Sequence, residues 1–210
     1  MFQEVLPGKA LNLIDEIAGK ISRFYLAGGT GLALQLRHRV SEDLDFFSNS
    51  DFDAENIENA LSPDKVISMR PQTAHFVKDG VRLSFLFYDV PLCYPVHIWR
   101  GLKVAAWQDI VAEKMKTVSQ RGSKKDFWDV YSVIVSCSSI EEVGSLFIER
   151  FKNAGINSYH VLKSLVYFED AEKEPDPVLL PDGQKPKWDT IKRFFEQNVK
   201  EFEKVLMGQK

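Results

Sequence analysis

Residues 27–48 read Ala-Gly-Gly-Thr-Gly-Leu-Ala-Leu-Gln-Leu-Arg-His-Arg-Val-Ser-Glu-Asp-Leu-Asp-Phe-Phe-Ser. Gly28 and Gly29 stop a short apolar strand at Phe24-Tyr25-Leu26-Ala27. They open an apolar helix of Leu32, Ala33, Leu34 and Leu36, which ends in the basic trio Arg37-His38-Arg39. The next strand, Asp43 to Phe47, carries an acid pair. Side chains two apart on a strand share a face, so Asp43 and Asp45 project together while Leu44 and Phe46 turn to the core. Two carboxylates this close repel unless a cation sits between them. Hard oxygen donors suit Mg²⁺ or Mn²⁺. The bare amides of a helix N-terminus favour an anion, glycine lets the backbone approach a phosphate, and Thr30 offers a hydroxyl. Either motif alone is weak, since glycine pairs are common turns and an isolated acid pair is usually an exposed strand end. In this order they point to chemistry on a nucleoside triphosphate. The GxxxxGK[ST] phosphate loop is absent.

Outward from this stretch, Leu11, Leu13, Ile14, Ile17 and Ile21 recur at helical spacing and predict a helix over 9–23. A helix over 53–61 starts with Asp53 as N-cap. Strands follow at Val66–Met69, Thr73–Val77 and Val81–Tyr88, the last two joined through the hairpin signal Asp79-Gly80. Val96 to Val104 adds one more strand. From Trp107 the periodicity turns helical, at 107–120, 125–136, 140–153, 158–170 and 188–206. Pro175, Pro177, Pro181 and Pro186 make 174–187 a loop. The expected class is α+β: residues 1–105 form a mixed β-sheet flanked by helices, and 106–210 form a helical bundle packing on it.

The bulk numbers agree with a folded domain of this kind. The chain has 210 residues, 44% hydrophobic and 27% charged, enough to bury a core. A net charge of −3 argues against a complex held mainly by nucleic-acid phosphates, while leaving room for a local basic groove. Cys93 and Cys137 lack CxxC spacing and read as reduced, buried thiols of a cytoplasmic protein. No apolar run is long enough to span a bilayer, and the N-terminus carries no secretion signal. The apolar face of 188–206 (Trp188, Ile191, Phe194, Phe195, Val199, Phe202) reads as packing, with a partner surface as the alternative.

A further constellation lies on the helix at 107–120. Trp107, Ile110, Val111, Met115 and Val118 form one apolar stripe, and Lys114 falls inside it. An inward lysine needs an anion or a route to water. Three readings stand open: the acid pair with its nucleotide, a local salt bridge to Asp126, or snorkelling past the apolar edge. Arg121 lies two turns on, on the same side. Asp126 borders the apolar face of the next helix, as a dipole partner, as a partner of Lys114 or Arg121, or as an active-site acid. Asp129 reads as more peripheral.

Glycine turn, helix and DxD strand in this order resemble the polymerase-β type of nucleotidyltransferase fold. Three ordered blocks make the resemblance more specific. The first is Tyr25–Thr30 with His38-Arg39, Ser41 and Asp43–Phe47. The second runs from Lys114 through Arg121 to Lys125-Asp126-Phe127-Trp128-Asp129, and the third is Leu162–Glu172 with Trp188. Together they are similar to the AbiEii/AbiGii nucleotidyltransferase-like toxins over nearly the whole chain. The resemblance implies a metal-dependent nucleotidyltransferase that takes a nucleotide from an NTP to an RNA (in some relatives the tRNA 3′ end) or a protein acceptor. It also implies the toxin half of a type IV toxin–antitoxin or phage-defence pair, with an antitoxin encoded nearby. It places Asp43, Asp45, Lys114 and Asp126 in catalysis, Asp43 and Asp45 on Mg²⁺ or Mn²⁺, and Gly28, Gly29, Thr30, Arg39, Ser41 and Arg121 around the nucleotide. One departure stands out. On the strand Val81–Tyr88, Ser84 occupies the place where such enzymes usually carry a third carboxylate. A hydroxyl is a poor base and a weak metal ligand, which admits a second reading: a nucleotide-binding or interaction module with a decayed site.

Overall fold

The computed structural model describes residues 1–182 and 185–208. They divide into two compact units. The first comprises Met1–Gln35 and Val40–Ala106, and the second Leu36–Arg39 and the chain from Trp107 onward.

In the first unit the described residues form a seven-stranded mixed sheet of β1 (Tyr25–Leu26), β2 (Leu44–Ser48), β3 (Lys65–Arg70), β4 (Thr73–Lys78), β5 (Val81–Phe87), β6 (His97–Trp99) and β7 (Leu102–Val104). The order is β3-β4-β5-β2-β1-β7-β6. β2 runs parallel to β5 and antiparallel to β1, and β1 runs parallel to β7. Alternation decides the faces. Leu44, Phe46, Leu83, Phe85, Ala74 and Phe76 are buried, while Asp45, Ser84 and His75 stand half-buried on the other side. Phe85 anchors the core against Phe46, Phe24 and Phe76, with ring centroids 5.2, 5.1 and 6.1 Å away. Helices α1 (Gly8–Ile17), α2 (Gly28–Leu36, up to Gln35) and α3 (Ala54–Leu61) complete the unit. α1 buries Ala10, Leu13, Ile14 and Ile17 at three- and four-residue spacing. Asp53 caps α3 by accepting from the Glu55 amide at 3.0 Å.

The β4–β5 hairpin turns at Asp79 (φ 50°) and Gly80 (φ 68°), the pair of left-handed residues that a two-residue turn of this hand requires. The stretch expected as one strand over 96–104 is instead a hairpin, β6–β7. Its turn is Arg100 (φ 47°) and Gly101 (φ 77°), and Arg100 is held by an ion pair with Asp15. The expected first helix stops its α-turns at Ile17 and finishes as a 3₁₀ turn over Ala18–Lys20.

The described residues of the second unit are helical: α4 (Trp107–Arg121), α5 (Lys124–Cys137), α6 (Ile140–Phe151), α7 (Ser158–Ser164), α8 (Trp188–Gln197) and α9 (Val199–Leu206). Phe127 centres an aromatic core with Phe168, Trp188 and Phe195 at 5.1, 5.9 and 5.4 Å. Two expected helices are shorter than their periodicity. The helix over 158–170 ends at Ser164, ahead of Val166, Tyr167 and Phe168, which are weak helix formers. The helix over 188–206 breaks at Asn198, whose side chain bonds the Phe194 carbonyl at 2.7 Å and competes with the helix backbone. Cys93 and Cys137, expected to be buried, are both exposed. Among the described residues no helix is long and apolar enough to cross a membrane.

α6 meets α9 at Gly144, where an added Cβ would lie 2.5 Å from Cγ1 of Val205. Gly144→Ala gains about 0.5–1 kcal/mol of helix preference but overpacks the contact by roughly 1–3 kcal/mol. Thermal melting is expected to show a net loss for Gly144→Ala and recovery when Val205→Ala is added.

Candidate active site

The first-unit candidates converge on the start of α2. The Ala27 amide donates to the Asp45 carbonyl at 3.0 Å, which fixes the glycine turn against β2. Gly28 adopts φ +60°, and a Cβ built there would lie 2.9 Å from Oδ2 of Asp45. The α-carbon therefore faces the carboxylate directly. Only glycine combines that conformation with that space. Past it, the first amides of α2 have no partner within the helix and present the positive end of its dipole.

Thr30 and Ser41, both expected at the nucleotide, have their hydroxyls together. Both are buried, and their hydroxyl oxygens lie 2.7 Å apart. Thr30 also donates a short hydrogen bond to the Asp43 carbonyl. This clamp, with the Ser41 amide on the Val5 carbonyl at 3.0 Å, pins the segment before β2 to α2. Asp43 lies just ahead of β2 rather than within it and is exposed, while Asp45 is half-buried within the strand. The strand alternation expected for the pair thus holds for Asp45, and Asp43 is placed by the clamp. In the β2–β5 register Asp45 lies opposite Ser84, so the hydroxyl stands at the predicted third-acid place. Ser84 Oγ is 3.2 Å from Nδ1 of His75, its partner on β4. Sequence reading passed over His75.

The remaining candidates, Arg39, Lys114, Arg121 and Asp126, belong to the second unit and come together there around two buried carboxylates. Of the three readings for Lys114, the structure shows the local salt bridge. Its ammonium lies 2.7 Å from Oδ1 of Asp126 and 2.7 Å from Oδ2 of Asp129. Arg121 grips Asp126 through Nε at 2.7 Å and a terminal nitrogen at 2.9 Å. Asp129, expected to be peripheral, is the hub. It is fully buried and accepts from Arg39 at 2.7 and 3.0 Å, with His38 Nε2 at 2.8 Å. Arg37 pairs separately with Asp182 at 2.9 Å.

Burial alone would push both acids up, but the charges of Arg39 and Lys114 hold Asp129 well below the usual carboxylate range. Lys114 and Arg121 likewise hold Asp126 down. Burial works against the charged Lys114 too, and the Asp129 and Asp126 charges outweigh it and raise its pKa. His38 is lowered by burial despite its bond to Asp129, and its Nδ1 is buried with no hydrogen-bond partner among the described residues.

A family model for the nucleotidyl transferase AbiEii toxin of type IV toxin–antitoxin systems matches residues 13–90 and 94–207. The chain belongs to that family. It is accordingly a nucleotidyltransferase of the toxin–antitoxin kind, and the resemblance read from its motifs holds along its length. An uncharacterized Aquifex aeolicus (strain VF5) protein is 34% identical, the match covering 88% of this chain and 90% of the relative. Among solved structures, the nucleotidyltransferase toxin MenT4 of Mycobacterium tuberculosis H37Rv shares the fold. Its TM-score is 0.61 at 17% identity, covering 95% of this AbiEii-family chain and 91% of MenT4.

The second-unit network sets a pH dependence. Asp126 and Asp129 have depressed folded pKa values, so their contribution is complete above the ordinary carboxylate range near pH 4 and is lost as pH falls through the folded values. Neutral, buried His38 begins to cost stability once pH drops below about 6.5, where the unfolded chain takes the proton first. The raised Lys114 contributes fully below about pH 10.4 and loses its share as pH climbs through its folded value. Asp129→Ala takes a shared buried carboxylate away from Arg39 and Lys114, Lys114 keeping Asp126, and is expected to cost about 3–5 kcal/mol at pH 7. Denaturant melts from pH 7 to pH 3 should show the variant's deficit shrinking with acid.

Proposed function

We propose that this AbiEii-family protein transfers a nucleotide from an NTP to an RNA acceptor such as the 3′ end of tRNA. In this reading Mg²⁺ or Mn²⁺ is held by Asp43 and Asp45. The approach of Gly28 to Asp45 carries the proposal, because it sets helix amides and a carboxylate around one small space. The donors fit the ion. Mg²⁺ takes one or two carboxylates and completes its shell with water and substrate phosphates, rather than using an all-protein cage. Among the described residues no group of three or more His, Cys, Asp or Glu forms such a cage. When bound, the ion supplies charge neutralisation at the phosphates and a lowered pKa for the attacking hydroxyl. The chain's own part is to seat the triphosphate on the Gly28 and Gly29 amides and to hold Asp43 through Thr30 and Ser41. Lys114, Asp126, Arg39 and Arg121 serve as framework in this reading, since the three cations are paired with the Asp126 and Asp129 carboxylates.

An RNA acceptor is favoured by the cations on the same sheet face as Asp45. Lys65 lies opposite Val77, which lies opposite Arg82, and Arg70 lies opposite Thr73 on that face. All three cations are exposed. Lys and Arg so placed contact phosphates without reading sequence. NTPs and tRNA share the cytoplasm, where an antitoxin encoded nearby would restrain the enzyme. Ser84 opposite Asp45 favours the second reading, a nucleotide-binding module that no longer transfers.

The test incubates purified protein with α-³²P-labelled NTPs, Mg²⁺ and total tRNA. Wild type is expected to label RNA, and Asp45→Asn to lose about 100-fold or more of that rate. Equal, negligible label from both would sink the transfer reading for RNA. NTP binding by calorimetry without label would support the decayed module.

A further inference from the structure

We propose that His75, acting through Ser84, takes the proton from the attacking acceptor hydroxyl, the task a third carboxylate on β5 would otherwise perform. The inference rests on the nucleotide-transfer reading above.

Asp45, Ser84 and His75 form one row across β2, β5 and β4, continued by Ser68 on β3. Cross-strand partners share a face, and all three are half-buried on the side where Gly28 meets Asp45. Strands lie about 4.8 Å apart, so Ser84 stands one strand from Asp45 and His75 stands two strands away, roughly 10 Å. That spacing makes His75 a partner of Ser84 rather than a ligand beside Asp45. The same face carries the cations Lys65, Arg70, Arg82 and Lys103 and the Asp45 carboxylate, and His75 supplies the imidazole nitrogen that meets Ser84.

A serine hydroxyl alone is no base, but it can relay. Ser84 Oγ takes the acceptor's O–H proton as its own passes to Nδ1 of His75, 3.2 Å away. The acceptor oxygen forms its bond to the α-phosphorus. The bond from that phosphorus to the bridging oxygen breaks, and pyrophosphate leaves with the electron pair. The imidazolium returns its proton to solvent. His75 is thus a positioning and proton-accepting residue one step behind the reacting atoms.

The same labelling assay, run on the full chain, tests this with His75→Ala, His75→Asn, Ser84→Ala and the double variant His75→Ala/Ser84→Asp. His75→Ala and Ser84→Ala are expected to lower kcat about 100-fold, with KM for the NTP within about twofold of wild type. His75→Asn keeps a hydrogen-bond acceptor for Ser84 but is no base, and should be equally slow. It also serves as the test if His75→Ala melts early. The double variant places a carboxylate opposite Asp45 and should regain about tenfold over His75→Ala. Wild-type kcat in His75→Asn, or no recovery in a double variant that melts normally, overturns the inference. If wild type labels RNA and Asp45→Asn does not, an unimpaired His75→Ala overturns this inference alone. If wild type and Asp45→Asn are equally inert, the parent reading fails and this one falls with it.

Discussion

The first unit is organised by one close approach, the α-carbon of Gly28 against the carboxylate of Asp45. A Cβ at residue 28 would sit 2.9 Å from Oδ2, and φ +60° is a conformation that L side chains rarely adopt. Two elements far apart in role, the N-terminus of a buried helix and the polar edge of a strand, thereby face a common space. The supporting bonds are backbone and hydroxyl contacts, from Ala27 to Asp45 and from Thr30 to Asp43 and Ser41. Polar side chains are thus used to place carboxylates, and the carboxylates stay accessible. That is the order of priorities expected of a site that handles a highly charged substrate.

The second unit solves the opposite problem. Asp129 is fully buried on an apolar helix face, where an unpaired carboxylate is untenable. Arg39, His38 and Lys114 surround it, and Lys114 is shared with Asp126. Replacing such a cluster with hydrocarbons is often neutral or stabilising, whereas removing one member is costly. The network also ties distant segments together, since Arg39 and His38 of Leu36–Arg39 meet Asp129 of α5, which shares Lys114 of α4.

Much of this was legible in the residues. The glycine turn, the acid strand, the Asp79-Gly80 hairpin and the position of Lys114 on an apolar face each follow from local periodicity or turn chemistry. His75 was within reach as well. A two-residue turn at Asp79-Gly80 pairs Lys78 with Val81, and counting back along both strands pairs His75 with Ser84. Asp129 was not within reach, because nothing near it in sequence announces that Arg39 will arrive from 90 residues away. Asn198 breaks a helix whose apolar pattern continues on both sides, so periodicity alone misses the break. Arg100 turns the β6–β7 hairpin in a left-handed conformation uncommon for its type, and only Gly101 hinted at it.

The central claim is that Gly28 and Asp45 jointly bound a space for a metal–triphosphate. The most direct measurement is Mn²⁺ binding followed by electron paramagnetic resonance, with a non-hydrolysable NTP analogue, in wild type, Gly28→Ala and Asp45→Asn. The account predicts nucleotide-dependent Mn²⁺ binding in wild type and its loss in both variants while the fold still melts cooperatively. Undiminished binding in both variants would contradict it.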